Sequence, residues 1–253
     1  MVNNSTMSGK LAIVLGGSKG IGAETSQQLA SQGATVCVVA RDKKDIDSVV
    51  QSIKDLGGTA FGYALDATIT VELENTFQKI HREHGAIDIL INLVGGFSKF
   101  ISFEKITELE WNQVIQMNLT TAFFSCQKIY PLMNDFGRIV LVGSIAGLGP
   151  NPYAKSYMPY GIAKSGLITM VKYLAHEFGS RGITVNCVSP GSTATDRVVE
   201  LRGEEGLQEL AKRNPLNHVL QPEDSASTIV FLASQQAQGI TGINVNVNAG
   251  SVM

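Results

Sequence analysis

The feature that most constrains this chain is an alternation running its whole length: short, uncharged, β-branched runs, each followed by a stretch of helical spacing. Lys10–Leu15 (KLAIVL), Ala34–Ala40 (ATVCVVA), Thr59–Leu65, Ile87–Asn92, Arg138–Val142, Ile183–Val188 and Ile243–Val247 read as strands. In the first two the apolar residues are consecutive rather than alternate, so both faces of such a strand must be covered, as in a parallel sheet lying between helices. The intervening helices are expected at Ile21–Gln32, where Ile21, Thr25 and Leu29 share a face before Gly33 stops the run, then at Lys43–Leu56, Val71–His84, Thr107–Met133 (long enough for a break) and Tyr160–Ser180. Strand–helix alternation from one end to the other predicts an α/β fold, a doubly wound parallel sheet with helices on both faces.

No linker, low-complexity tract or internal repeat divides the 253 residues. Residues 9–253 are therefore expected to form one domain, and residues 1–8, polar and without an apolar segment, a mobile leader. The stretch 191–220 differs in texture, being polar, charged and weakly periodic, and is expected to form a substrate loop or lid. A formal net charge of −2 provides no general field for nucleic acid or an anionic membrane. No apolar run approaches the roughly 18 residues that span a bilayer, so a soluble, cytoplasmic protein is expected. Cys37, Cys126 and Cys187 are far apart and lack metal-ligand spacing; buried, reduced thiols and no metal site are expected. His81, His84, His176 and His218 read as surface residues.

Gly16, Gly20 and Gly22 follow the first strand directly and open the first helix in the order G-x-x-x-G-x-G. Glycine permits the sharp turn and lets a pyrophosphate approach the N–H groups at the helix N-terminus, so the turn, with Ser18, Lys19 and Ile21 inside it, is read as a dinucleotide cradle. The second strand ends Ala40-Arg41-Asp42, with alanine where an acid that binds the ribose of NAD is expected. Arg41 and Lys19 favour the 2′-phosphate of NADP(H), and NAD(H) is the less favoured cofactor. Two other readings stand beside this one: both cations solvated, or Asp42 reaching the ribose. Asp66, after the third strand and before Ala67, suits either the adenine or a helix cap.

Tyr160 and Lys164, four residues apart at a predicted helix start, share a face. A phenol titrating near 10 exchanges protons poorly at neutrality, and an adjacent ammonium favours its phenolate. Ser144 closes the strand Arg138–Val142, at the sheet edge where open α/β folds hold their ligands, and can hydrogen-bond a substrate oxygen; a turn cap is the alternative. Asn118 is a polar residue in an apolar helical stretch, where an unpartnered amide is costly. A satisfied core asparagine is the other reading.

Together these motifs resemble the short-chain dehydrogenase/reductase family in its short, single-domain, ketoacyl-reductase-like form, and the resemblance covers nearly the whole chain. Leu15-Gly16-Gly17-Ser18-Lys19-Gly20-Ile21-Gly22 is similar to the family's T-G-x-x-x-G-I-G, with Leu15 in place of threonine. Asn92-Leu93-Val94-Gly95 is similar to N-N-A-G, and Pro190-Gly191, followed by Thr193 and Thr195, to the motif beside the nicotinamide. The resemblance implies a Rossmann-type domain that reduces a carbonyl to a secondary alcohol, or the reverse, by hydride transfer. In it Ser144 polarises the oxygen, Tyr160 donates the proton, Lys164 tunes Tyr160, and Asn118 links Lys164 to solvent through a water. It implies cofactor contacts at Gly16, Ser18, Lys19, Gly20, Ile21, Gly22, Arg41, Asp66, Ala67, Asn92, Gly95, Tyr160, Lys164, Pro190, Gly191, Thr193 and Thr195. It also implies a small-molecule carbonyl or alcohol substrate and a homotetramer or homodimer built on the helices holding Trp111 and Tyr160. Ser144 and Tyr160 stand 16 positions apart, about three more than the family usually shows, and 149–153 is the expected place for the excess. A non-catalytic NADP(H)-binding sensor and an isomerase or epimerase with transiently used nicotinamide are the competing functions.

Overall fold

The computed structural model describes residues 6–150, 157–212 and 214–252, apart from the side chains of 201 and 202. Seven parallel strands form one sheet in the order β3-β2-β1-β4-β5-β6-β7. They are β1 (Leu11–Leu15), β2 (Thr35–Ala40), β3 (Thr59–Ala64), β4 (Ile87–Asn92), β5 (Met133–Val142), β6 (Thr184–Pro190) and β7 (Asn244–Val247). Among the described residues there are eight α-helices: α1 (Gly20–Ser31), α2 (Lys43–Asp55), α3 (Thr70–His84), α4 (Glu108–Ile115), α5 (Thr121–Ile129), α6 (Met158–Phe178), α7 (Asp196–Ala211) and α8 (Pro222–Ala233).

The uncharged runs do what their composition demands. Every residue of β1, β4 and β6 is buried. Alternate side chains enter two apolar layers. Ile13, Leu15, Leu90, Ile139 and Cys187 pack towards α3, α5 and α6, while Ala12, Val14, Ile91, Val140 and Val188 pack towards α1, α2 and α8. Strand order reverses between β1 and β4, and in open α/β sheets ligands bind at the carboxyl ends beside such a switch point. Asp88 ties the opposite end of the sheet. Its carboxylate accepts from the Leu11 N–H at 2.9 Å, Lys10 Nζ at 3.0 Å and Asn134 Nδ2 at 3.0 Å.

Several boundaries differ from the sequence reading. The long helix expected over 107–133 is broken at a π turn, Gln116–Thr120, and ends in a short 3-10 turn, Tyr130–Leu132. β5 starts at Met133 rather than Arg138, through an irregular register and a left-handed Phe136 (φ 60°), which local pattern does not reveal. The stretch 191–220 is not structureless: it carries α7, bent at Gly203 (φ 72°, ψ 163°). Its weak periodicity follows from how little of it packs, chiefly Leu207 and Ala211. The leader expected over 1–8 does not extend to its last residues, since Met7 is 2% exposed and donates its N–H to the Gln32 carbonyl. His84 is not a free surface residue either. Its Nε2 lies 2.7 Å from the Tyr63 hydroxyl, and its ring stacks near Phe61. All three cysteines are free and buried. Burial pushes the Cys37 and Cys126 thiols up to about 12 and Cys187 to about 11.

Candidate active site

Along the carboxyl ends of β1, β2, β4 and β5 the chain leaves a cavity of about 1110 Å³, above the range of ordinary small-molecule pockets. One end is the glycine turn. Gly16 has φ 79° and donates its N–H to the Val39 carbonyl at 2.7 Å, which folds the turn over the end of β2. A Cβ at Gly22 would overlap the Gly16 carbonyl oxygen, so a side chain there is excluded. α1 starts at Gly20, and its N-cap, Lys19, supplies no side-chain hydrogen bond, leaving the positive end of the helix directed at the cavity. These features fit a bound pyrophosphate.

The charges around this end sort out the sequence expectations. Lys19 pairs with Asp45 at 2.8 Å, so one of the two cations expected at the ribose is largely neutralised. Asp42 caps α2 by accepting the Asp45 N–H at 3.1 Å, which occupies the carboxylate that was the rival ribose ligand. Arg41 stays exposed on the cavity wall. Asp66 also lines the cavity. Its Oδ1 accepts from the Thr68 hydroxyl at 2.7 Å and N–H at 2.9 Å, which hold the carboxyl below the usual range, and the N-cap of α3 is Ile69 instead.

The other end is catalytic in geometry. Pro159 sits in the first turn of α6, where its missing N–H is harmless, and starts the helix two residues before Tyr160. Tyr160 faces the cavity; Lys164, one turn on, is 3% exposed and donates from Nζ to the Val142 carbonyl at 2.7 Å. The ammonium lies 5.8 Å from the centre of the Tyr160 ring. Burial lowers the Lys164 pKa to about 8. Burial raises that of Tyr160, against the opposing pull of a hydrogen bond with Ser144 and the charge of Arg197. Ser144 also accepts the Ala146 N–H at 3.2 Å, so it is a turn cap as well as a partner of Tyr160.

Asn118 lies in the π turn and is fully buried. Its Nδ2 donates to the Gly96 carbonyl at 2.8 Å and the Val114 carbonyl at 2.9 Å, and its Oδ1 accepts the Gly96 N–H at 2.7 Å. The satisfied-core reading thus describes the side chain, and its consequence is positional: it fixes the Gly95–Gly96 loop. A Cβ on Gly95 would stand 2.6 Å from Asn118 Oδ1 and 2.9 Å from Lys164 Nζ, so glycine brings these two groups together. Asn92, expected at the cofactor, is 2% exposed; its Nδ2 donates to the Ser125 hydroxyl and its Oδ1 accepts the Val94 N–H. Of the two threonines after Pro190-Gly191, Thr195 lines the cavity, whereas Thr193 is buried and bridges to Leu220. Gly16, Ser18, Lys19, Gly20, Ile21, Gly22, Ala67, Gly95 and Gly191 also line it. Residues 151–156, where the extra Ser144–Tyr160 length was expected in part, lie outside the described residues.

Motif reading missed an aromatic wall. Phe97 stands 5.0 Å from Phe100, 5.2 Å from Tyr157 and 5.0 Å from Tyr160, centre to centre. Arg197 reaches from α7 to the Phe97 carbonyl, to which it donates. No spacing rule links residues 100 positions apart.

A dinucleotide cradle at a switch point, joined to a buried lysine, a tyrosine and a serine, defines a nicotinamide-dependent oxidoreductase. The family model described as enoyl-(acyl carrier protein) reductase matches residues 16–251. The chain is 35% identical over 248 residues to the 3-oxoacyl-[acyl-carrier-protein] reductase FabG of Escherichia coli K12, covering 97% of this chain and 98% of that one. It is 32% identical over 249 residues to the Thermotoga maritima protein of the same name, covering 98% and 99%. The solved structure of a short-chain dehydrogenase/reductase from Serratia marcescens superposes with a TM-score of 0.91 at 29% identity, over 97% of this chain and 99% of that one. The chain belongs to the short-chain dehydrogenase/reductase family. It is an NADP(H)-dependent oxidoreductase acting on carbonyl and alcohol groups.

Proposed function

We propose that the protein works as a ketoreductase, with Tyr160 as proton donor, and that the observation carrying this is the pair Ser144–Tyr160 on one wall of the cavity with the buried Lys164 behind it. The glycine turn, Arg41, Thr195 and Gly191 would hold NADPH; when bound, it supplies the hydride. The two hydroxyls converge on one point, which suits the oxygen of the very carbon being reduced, and favours a carbonyl over the carbon–carbon double bond of an enoyl substrate. Ser144 donates to that oxygen and orients it. Tyr160 gives it a proton as negative charge develops, and the Lys164 ammonium stabilises the phenolate left behind. Asn118 holds Gly95 and Gly96 in place, so that Lys164 keeps its position. Helix α7, with the rest of 191–220, forms the lid. The curated relatives named above act on 3-oxoacyl groups, and a ketone is the class taken here. Leu109 on α4, Phe123 on α5, and Ile162 and Tyr173 on α6 expose large apolar surface, which supports a homodimer or homotetramer through these helices.

The test is NADPH oxidation with a panel of ketones and crotonyl-CoA, using wild type and Tyr160→Phe. Ketone turnover is expected, falling about 10²–10⁴-fold in the variant while NADPH affinity holds. Unchanged turnover would remove Tyr160 from the chemistry, and crotonyl-CoA as the sole substrate would make the enzyme an enoyl reductase.

A further inference from the structure

The cavity has two unlike ends in charge as well as shape. Lys19, Arg41, Asp42, Asp45 and Asp66 gather round the glycine turn, where each has an opposite charge near it. Asp196 joins them, since its charge is felt at Lys19. At the substrate end the described lining residues are aromatic, apolar or hydroxylic, with one exception, Arg197. Consecutive residues of the first turn of α7 therefore point to different ends, Asp196 to the phosphate side and Arg197 to the Phe97–Tyr160 side.

The placing of Arg197 is constrained. Its guanidinium lies against Gly96, where a built Cβ would meet Nη1 at 2.7 Å, and it donates to the Phe97 carbonyl. Glycine at 96, with φ 130°, is what lets the guanidinium come so near the loop fixed by Asn118. Among the described residues no carboxylate forms an ion pair with it. A guanidinium has five N–H donors in a flat fork matched to a carboxylate, and one carbonyl leaves most of them available.

We propose that Arg197 is a specificity-determining residue that selects ketones bearing a carboxylate, held in the substrate end with their carbon skeleton against Phe97, Phe100 and Tyr157. The inference rests on the ketoreductase reading and names its substrate class. The carboxylate takes up the guanidinium donors beside the Phe97 carbonyl, and this draws the first turn of α7 down over the site. The same contact orients the ketone oxygen towards Ser144 and Tyr160. The carboxylate is unchanged in the reaction: one hydride adds to the ketone carbon and one proton from Tyr160 to its oxygen.

Matched probes separate the possibilities. Benzoylformate and levulinate would be compared with their methyl esters as substrates of wild type and Arg197→Gln. Benzoate and benzamide would be titrated, as non-reacting ligands, onto the NADPH complex of each protein. Wild type is expected to favour the acids over the esters in kcat/KM and benzoate over benzamide in Kd. Arg197→Gln should lose about 10–100-fold in the acid-over-ester ratio of kcat/KM and in the benzoate-over-benzamide ratio of Kd, the range for a charge-assisted hydrogen-bonded pair, any loss common to acid and ester being the effect of the Arg197 charge on Tyr160. Equal treatment of acid and ester by wild type would overturn the proposal while ester turnover left the ketoreductase intact. A uniform loss in the variant, carried by weaker NADPH binding, would overturn it by assigning Arg197 to the cofactor. Benzoate selectivity that depends on Arg197, without reduction of any ketone, would uphold the anion site and refute the ketoreductase reading instead.

Discussion

Replacing Lys164 by methionine should make the protein without cofactor more stable at neutral pH while removing its activity. An ammonium whose pKa is pulled from 10.5 to about 8 by burial is held at a penalty of about 3 kcal/mol wherever it is charged in both folded and unfolded chains. Methionine has similar length and no charge. Against this stands the bond from Nζ to the Val142 carbonyl, whose loss leaves a buried acceptor and costs about 1–2 kcal/mol. The expected net gain at pH 7 is about 1–2 kcal/mol. The sign with pH follows from proton binding. Between pH 8 and 10.5 the unfolded lysine holds more proton than the folded one, so wild-type stability from this residue rises across that window. The advantage of Lys164→Met should therefore shrink from pH 8 upward and reverse at about pH 9–10, where the remaining penalty equals the cost of the lost hydrogen bond. Urea unfolding of both proteins at pH 7, 8, 9 and 10 measures it; taking the difference removes the contributions of other groups, although Cys187 is close enough to couple weakly. A variant less stable by 2 kcal/mol or more at pH 7, with a difference flat in pH, would refute the reasoning, since it would mean the charge is well solvated where it sits.

Arg41→Ala should weaken NADPH binding about 10-fold or more and leave NADH nearly unchanged, as read by nucleotide fluorescence, because Lys19 is already paired with Asp45. Gly95→Ala should reduce kcat about 100-fold with a small change in Tm, since its methyl group displaces Lys164 Nζ and Asn118 Oδ1 by tenths of an ångström; Gly22→Ala, meeting backbone instead, should abolish nucleotide binding in the same titration. Asp88→Ala should cost about 2–4 kcal/mol in urea unfolding, because it strands the buried Leu11 N–H and removes two further donors' partner. A disulfide reagent such as DTNB should label none of the three thiols in the native protein at pH 8 and all three in denaturant, given their burial and raised pKa values.

What the sequence made legible was whatever local pattern determines. Uncharged runs such as KLAIVL and ATVCVVA can only be two-sided strands, and a glycine turn after the first of them locates the cofactor end. Tyr160 and Lys164 were legible because helical spacing forces them onto one face. The misreadings occur where distant parts of the chain decide the outcome. α7 packs so few residues that its sequence carries little period, and the start of β5 depends on pairing with Ile87 rather than on its own residues. Lys19 reads in the sequence as a free cation beside the ribose, and the structure adds its partner Asp45, 2.8 Å away across 26 positions of chain. Nor does the sequence show that Ser125, 33 positions on, bonds the Asn92 amide. The aromatic wall and Arg197 join the 97–100 loop to the first turns of two distant helices, α6 and α7, which no local period relates.

The π turn at Gln116–Thr120 gives the site a mechanical partner on the outer surface. Side chains of the turn bond carbonyls beside them: Asn118 Nδ2 donates to Val114, and the Thr121 hydroxyl donates to Gln116, which also accepts the Thr121 N–H. One residue more than an α-helix needs is accommodated there, and each residue advances a helix by about 100°. The phase of α4, with its exposed Leu109, is thereby set against that of α5, with its exposed Phe123, by the same five residues that aim Asn118 inward. Trimming the extra residue would restore a regular helix and, in one stroke, turn Asn118 out of the loop it holds and rotate one half of that surface away from the other. Active-site geometry and surface registration are thus gears on one shaft, so substitutions can tune either one, whereas an insertion or deletion here must change both.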